Sequence, residues 1–292
     1  MTIFIIAVLS IIAAYLGLTA YIAGVAVRAR RLPLMFSPEQ PCAEVSFPSR
    51  MKDVLLRGWY FRAGPECIII VNGGEQNRVD PVTDTLGLTR DLVVLGYSVL
   101  LFDLSGRGES GGQGSLFPCN DRDVGGAVDF MRRRGHEDIK IMGFSSGAAA
   151  TLLFASREPV SAIVSDSCFA SLSESFEREL TKRGYPGILA QVLSPGVFFM
   201  SRAVHNMDLA DPETVMGKVT CPVFFIHGER DSGVPVNDAY RLFHEGRNSS
   251  NLLWAVPGAE HTQGYRIIRN EYLARVAGFF SEVSRTNQRQ VF

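Results

Sequence analysis

Between Ile139 and Ala155 the chain reads IKIMGFSSGAAATLLFA. The apolar run ending at Phe144 predicts a buried strand and the small-residue run from Ala148 predicts a helix, so Gly143 to Gly147 must reverse the chain sharply. A glycine two places either side of Ser145 lets strand and helix pack without a Cβ in the way and leaves the Ser145 hydroxyl exposed on a strained tip. Such a hydroxyl is a poor nucleophile at neutral pH until a base takes its proton, and histidine is the side chain whose ordinary pKa suits that task. Of the five histidines, only His261 lies in a loop directly after a late strand, in AVPGAEHTQGY, ahead of a closing amphipathic helix. His136 sits in a charged turn, His205 and His244 fall on cap or helix, and His227 ends a strand where it is expected to hydrogen-bond locally. The base in turn needs a carboxylate to fix its tautomer and stabilise the imidazolium. Asp231 in HGERDSGVP follows a strand and a glycine turn and offers one; Asp166, at the end of the preceding strand, is the competing acid on a shorter projection.

These residues act together only if strands carry them to one edge. Strand-like runs recur at Ala43 to Phe47, Val54 to Arg62, Cys67 to Asn72, Ser98 to Asp103, Ile139 to Phe144, Ala162 to Asp166, Val223 to His227 and Leu252 to Val256. Helical patterns at Asp80 to Leu95, Asp121 to Arg134, Ala148 to Arg157, Asn237 to Glu245 and Tyr265 to Ser284 alternate with most of them. The alternation predicts an α/β domain with a mostly parallel, doubly wound sheet covered by helices on both faces. The first two runs predict an antiparallel edge hairpin. Some fifty residues between Asp166 and Val223 exceed an ordinary connection and predict an inserted helical cap at about 168–215. Its apolar stretch GYPGILAQVLSPGVFFM supplies Ile188, Leu189, Val192, Leu193 and Phe198 as candidates to line an acyl-binding cleft, against the alternative that they pack on the sheet edge.

Composition bounds the partners. The chain is 46% hydrophobic and 20% charged with a formal net charge of −1, which excludes a disordered chain and the basic excess of a nucleic-acid binder. Met1 to Val27 carries no charged side chain. As a helix it would reach roughly 40 Å at about 1.5 Å per residue, against about 30 Å of hydrocarbon. It lacks a positive n-region and is longer than a secretory h-region, so residues 1–27 are expected to be an uncleaved transmembrane anchor. Arg28, Arg30 and Arg31 follow it, which by the positive-inside rule sets the remaining chain in the cytoplasm. Residues 28–42 form a basic, proline-containing linker and 43–292 a single domain. The five cysteines (Cys42, Cys67, Cys119, Cys168, Cys221) contain no C-x-x-C pair and suggest neither a disulfide framework nor a zinc cluster.

Two rival motifs are weaker. GRGESG at Gly106 to Gly111 matches a dinucleotide fingerprint in letters, but glycines continue through Gly114 and the next helical pattern begins only near Asp121, so no helix N-terminus receives a pyrophosphate. His227, Glu229 and Asp231 alternate as metal ligands do, yet Gly228 interrupts them and no second histidine is near in sequence.

Taken together, GFSSG, LLFDLSGRGESGG, IHGERDSGVP and GAEHTQGY, in this order over Val54 to Tyr265, resemble the α/β-hydrolase superfamily. They are most similar to membrane-anchored single-domain serine hydrolases and the serine aminopeptidase-like group. The resemblance implies Ser145 as nucleophile, His261 as base and Asp231 as its acid, with an oxyanion held by the backbone N–H groups of Ser146 and Gly74. The family usually has a histidine before the first glycine of IVNGGEQN, where this chain has Asn72. It implies no cofactor and no metal; the short tether and the apolar cap predict a small-molecule or lipid-like acyl substrate met at the membrane. The expected reaction is hydrolysis of an ester or thioester through an acyl-enzyme. The alternatives are a serine peptidase of the aminopeptidase-like group and a non-catalytic, membrane-tethered binding protein of the same fold.

Overall fold

The computed structural model describes residues 1–292 except 27, 29, 116, 118, 119, 206, 208, 291 and 292 and the side chains of 287–290, so Cys119 lies outside the described residues. A helix α1 (Thr2–Ala26) precedes β1 (Ala43–Pro48), β2 (Leu55–Phe61), β3 (Cys67–Val71), α2 (Thr85–Val94), β4 (Ser98–Phe102), α3 (Asp121–Arg133), β5 (Ile139–Phe144), α4 (Ser146–Ala155) and β6 (Ala162–Asp166). There follow α5 (Leu172–Lys182), α6 (Gly187–His205), α7 (Pro212–Met216), β7 (Val223–Gly228), α8 (Asn237–Glu245), β8 (Leu252–Val256), α9 (Gly264–Ile267) and α10 (Arg269–Gln290).

The eight strands form one sheet in the order β1-β2-β4-β3-β5-β6-β7-β8. β1 and β2 form the antiparallel edge hairpin and β2 also runs antiparallel to β4, while the other neighbours pair parallel. Every residue of β3, β4, β5, β6 and β7 is buried, which is why these strands read as continuous apolar runs: helices cover both faces. Burying each of Ile68, Ile69 and Ile70 stabilises the fold by roughly 1.5–3 kcal/mol relative to exposure. The helix expected over Tyr265 to Ser284 is broken, because Ile268 leaves helical geometry at φ −130°, ψ 54°. Asp91 of α2 ties down both sides of the break, accepting from the Tyr265 hydroxyl at 2.8 Å and from Arg269 at 2.6 and 2.7 Å.

The strand order places the site. From β3 the chain crosses to β4, then returns through α3 to β5 on the other side of β3, so the sheet reverses direction of winding between β3 and β5. In open α/β sheets the crevice beyond the carboxyl ends of the strands at this reversal is where ligands bind. The loop after β3 holds Gly73 and Gly74, and the one after β5 holds Ser145.

The insertion between β6 and β7 is α5, α6 and α7, and it holds α1. One stripe of α1 (Tyr15, Thr19, Ala23, Ala26) faces α6, and the Tyr15 hydroxyl donates to the Val192 carbonyl at 2.9 Å. A Cβ on Gly196 would lie 2.5 Å from the Tyr15 hydroxyl, so a glycine there is what permits this close crossing. The linker is pinned as well. Arg31 donates to the Ser110 carbonyl at 2.7 Å, Asn77 donates to the carbonyls of Leu32 and Pro33 at 3.2 and 3.0 Å, and the Arg30 amide donates to Glu75 at 2.9 Å.

Candidate active site

Ser145 occupies the turn between β5 and α4 with φ 53° and ψ −123°, a left-handed region that costs a non-glycine residue about 1–3 kcal/mol. Its surroundings enforce that geometry. A Cβ on Gly143 would lie 2.5 Å from Ala148 Cα, and one on Gly147 would lie 2.3 Å from the Val71 carbonyl. Both flanking glycines are therefore close-approach positions, and the Ser145 amide is fixed by donating to the Asp166 carbonyl at 2.8 Å.

His261 Nε2 lies 2.9 Å from Ser145 Oγ and its Nδ1 lies 2.6 Å from Asp231 Oδ2. A carboxylate only accepts, so Nδ1 carries the proton and the bare Nε2 accepts from the serine hydroxyl. Asp231 is itself held on its other oxygen, which accepts from the amides of Gly233 and Val234 at 2.8 and 2.7 Å. Burial pushes the Asp231 carboxyl up, but hydrogen bonds from His227 and His261 outweigh burial and hold it well below the usual carboxylate range. The carboxylate thus stays charged beside the imidazole.

His227 Nε2 lies 2.9 Å from the Val234 carbonyl and 3.3 Å from Asp231 Oδ2, so the strand-end histidine does bond locally and also braces the acid. Burial lowers the His227 pKa, but the Asp231 carboxylate, the Val234 carbonyl and the charge of Asp166 together outweigh it, and the net shift is upward. Asp166 faces elsewhere. It is fully buried and accepts from the hydroxyls of Tyr272 and Ser167, each at 2.8 Å, and burial pushes its carboxyl up despite those donors. His136 lies between the Tyr60 hydroxyl at 2.9 Å and the Pro65 carbonyl at 2.6 Å, in a structural role far in sequence from this loop set.

The loop after β3 meets the serine turn directly: a Cβ on Gly73 would lie 2.9 Å from the Ser146 amide. Gly74, at φ 56°, donates its N–H to the Ser146 hydroxyl at 2.7 Å. The sequence singled out both residues for their amides; that the Ser146 side chain occupies the Gly74 donor was not legible there. Asn72 closes the loop by donating to the Asn77 carbonyl at 2.8 Å. Arg107, from the glycine-rich run that mimics a dinucleotide motif, donates to the Gly74 carbonyl at 2.7 and 3.0 Å and to the Ser115 carbonyl at 2.6 Å. That run therefore clamps the Gly74 loop, and sequence reasoning missed the clamp because nothing local links Arg107 to a residue thirty positions earlier.

The five cap residues expected around an acyl cleft are not brought together. Ile188, Leu189 and Val192 are exposed on the outer side of α6, whereas Leu193 and Phe198 are buried beneath it. Phe198 packs with Phe117 and Phe176 at ring separations of 5.4 and 5.6 Å. A helix of 3.6 residues per turn cannot direct all five to one side, and in α6 the buried face is taken by the body of the domain. The cleft that borders the acid loop, about 470 Å³, is lined instead by Glu174, Glu177, Arg178, Lys182, Gln191 and Ser232 among others.

Residues 123–286 match the model of the prolyl oligopeptidase family. The chain is 27% identical over 227 residues to the uncharacterized protein YqkD of Bacillus subtilis (strain 168), covering 75% of this chain and 72% of that one. In three dimensions it is similar to the Pyrococcus furiosus esterase Pf2001, with a TM-score of 0.74, 21% identity, and 88% and 98% of the two chains covered. It is also similar to the proline iminopeptidase of Mycobacterium smegmatis, with a TM-score of 0.60, 15% identity, and 84% and 100% covered. These likenesses show the α/β-hydrolase fold that the motifs resemble.

Proposed function

The chain belongs to the prolyl oligopeptidase family and is a hydrolase, and from that premise we propose that it is a membrane-anchored serine hydrolase cleaving an ester or thioester through an acyl-enzyme. The observation that carries the reading is the hydrogen-bonded line from Ser145 Oγ through His261 to Asp231, at 2.9 and 2.6 Å, mounted on a strained turn. Ser145 attacks the acyl carbonyl while His261 Nε2 takes its proton; His261 then returns that proton to the leaving alcohol or thiol. Water repeats the sequence on the acyl-enzyme and frees Ser145. Asp231 keeps the imidazole in the tautomer that accepts at Nε2 and stabilises the imidazolium between the two transfers. The anchor is α1, 25 residues without a charge and almost wholly exposed, and Arg28, Arg30 and Arg31 favour a cytoplasmic domain.

The oxyanion falls to the N–H groups of Ser146 and Gly74. Ser146 opens α4, where the first amides have no acceptor within the helix. Gly74 is free to serve once the Ser146 hydroxyl swings off it. Ser146→Ala is therefore expected to keep kcat/KM within about tenfold of wild type, since it removes a competitor for the donor and leaves both amides. Steady-state kinetics on a p-nitrophenyl ester check this. A loss of about 10²–10³, the usual cost of deleting one oxyanion donor, would instead make the Ser146 hydroxyl part of the charge-stabilising set.

One observation favours a second reading. The cleft beside the acid loop is bordered by charged side chains of both signs, Glu174, Glu177, Arg178 and Lys182. Charged groups of both signs can hold the amino and carboxyl ends of a peptide, which an acyl chain lacks, so a serine peptidase is the alternative. Covalent labelling by a fluorophosphonate tests the shared mechanism. Turnover of acyl p-nitrophenyl esters against aminoacyl p-nitroanilides then separates esterase from peptidase. No labelling of the folded protein would leave the binding-protein reading.

A further inference from the structure

We propose that α6 is a second membrane element, an interfacial helix whose outward stripe of Ile188, Val192 and Phe199 lies in the same bilayer leaflet that α1 enters. The proposal rests on the reading of α1 as the anchor and extends it to the cap. These side chains are 75, 55 and 60% exposed, and they recur at helical spacing on the side of α6 that the domain leaves uncovered, with Tyr185, 50% exposed, in the connection just before the helix. Gly184 to Ser201 contains no charged residue, and Lys182 and Arg183 precede it while Arg202 follows it. A charge-free helical stretch with basic residues at both ends and one solvent-facing apolar stripe is the pattern of a helix lying at the boundary of headgroups and acyl chains.

The length of α1 argues that lipid covers the stripe. Every residue before Tyr15 is exposed, and Tyr15 makes the first tie to α6, through Val192. The helix ahead of Tyr15, Thr2 to Ala14, extends only roughly 20 Å at about 1.5 Å per residue. That falls short of the roughly 30 Å hydrocarbon layer. An α1 that spans the bilayer must therefore sink past the level of Tyr15, and it carries the N-terminal turns of α6 into the interface with it. The two helices run the same way, since Tyr15 meets Val192 and Gly196 while Gly24 lies 4.0 Å from His205 by its Cβ direction, so Ile188 is the deepest outward residue of α6.

The linker fixes the orientation. Because Arg31, Leu32 and Pro33 are hydrogen-bonded to the loops carrying Ser110 and Asn77, the edge of the sheet with Ser145 is held close to the membrane rather than swinging on a tether. Ile188 and Val192 thus meet acyl chains in the bilayer, outside the cleft, while Leu193 and Phe198 stay in the core beneath α6.

The test uses the full chain reconstituted in phosphatidylcholine vesicles, with the photoreactive amino acid p-benzoylphenylalanine in place of Ile188, Val192 or Phe199, one at a time. Ile6 on α1 serves as the reference inside the bilayer and Lys52, exposed at the turn between β1 and β2, as the reference outside it. Fluorophosphonate labelling or, failing that, an unchanged circular dichroism spectrum verifies that each variant folds. After irradiation, mass spectrometry is expected to find lipid adducts at Ile6, Ile188, Val192 and Phe199, and none at Lys52. Adducts at Ile6 without any on α6 would overturn the proposal and leave the anchor standing. Absence of adducts at Ile6 as well would overturn both, and adducts at Lys52 in equal yield would overturn the assignment of a distinct membrane face.

Discussion

Ser145→Ala is expected to lower the hydrolytic rate by on the order of 10⁶ and to abolish fluorophosphonate labelling, because no other hydroxyl is positioned to donate to His261 Nε2 within the geometry described. The fold should barely notice. The hydroxyl makes a single side-chain bond, to a partly exposed imidazole, and the thermal midpoint should move by no more than about 2 °C. Alanine keeps the strained φ of 53°, whereas Ser145→Gly should relieve it and raise stability by about 1 kcal/mol while remaining equally inactive. Ester hydrolysis and differential scanning calorimetry on the two variants give the result. Retained hydrolysis in Ser145→Ala would move the attack to Ser146, whose hydroxyl sits on the Gly74 amide, or remove the acyl-enzyme mechanism altogether.

The parts legible in the sequence are those fixed by local pattern. Parallel strands buried on both faces announce themselves as short apolar runs, so β3 to β7 could be marked within a residue or two, as could α3 and α4, whereas α2 begins at Thr85 rather than Asp80 and the cap helices were legible only as one insertion. The turns after β5, β7 and β8 could then be assigned to one sheet edge, which is how Ser145, Asp231 and His261 were singled out and where the structure draws them together. What escaped depends on contacts between distant segments. The stripe of α6 reads as apolar whichever way it faces, and only the packing of α1 and the domain decides that Ile188 and Val192 point out while Leu193 and Phe198 point in. The same holds for Arg107 on the Gly74 carbonyl, for the linker's bonds to Asn77, and for His227 beside Asp231, where the four-residue spacing spans a strand end and a turn rather than a helix.

The acid is the residue on which sequence left a choice, and the two candidates predict opposite phenotypes. In Asp231→Asn, the amides of Gly233 and Val234, now at 2.8 and 2.7 Å from Oδ1, require an acceptor and so hold the new side chain's oxygen in place. Its NH₂ group then occupies the position of Oδ2 and donates toward His261 Nδ1. The imidazole must accept there and carry its proton on Nε2, where it repels the Ser145 hydroxyl's proton instead of taking it. By analogy with other such triads kcat should fall about 10⁴-fold, while KM changes little because Asp231 touches no substrate. The amide also faces the Nε2–H of His227, 3.3 Å away, so one donor meets another and stability drops as well. Asp166→Asn does the reverse. It disturbs the buried bonds to Tyr272 and Ser167, and its effect should appear in the thermal midpoint with kcat/KM within about tenfold of wild type, since surface and core polar losses away from the reacting atoms act through stability. Parallel kinetics and melts of the two purified variants decide the assignment. A collapse of kcat in Asp166→Asn, with Asp231→Asn active, would transfer the acid to β6 and require His261 to turn away from the loop that now holds it.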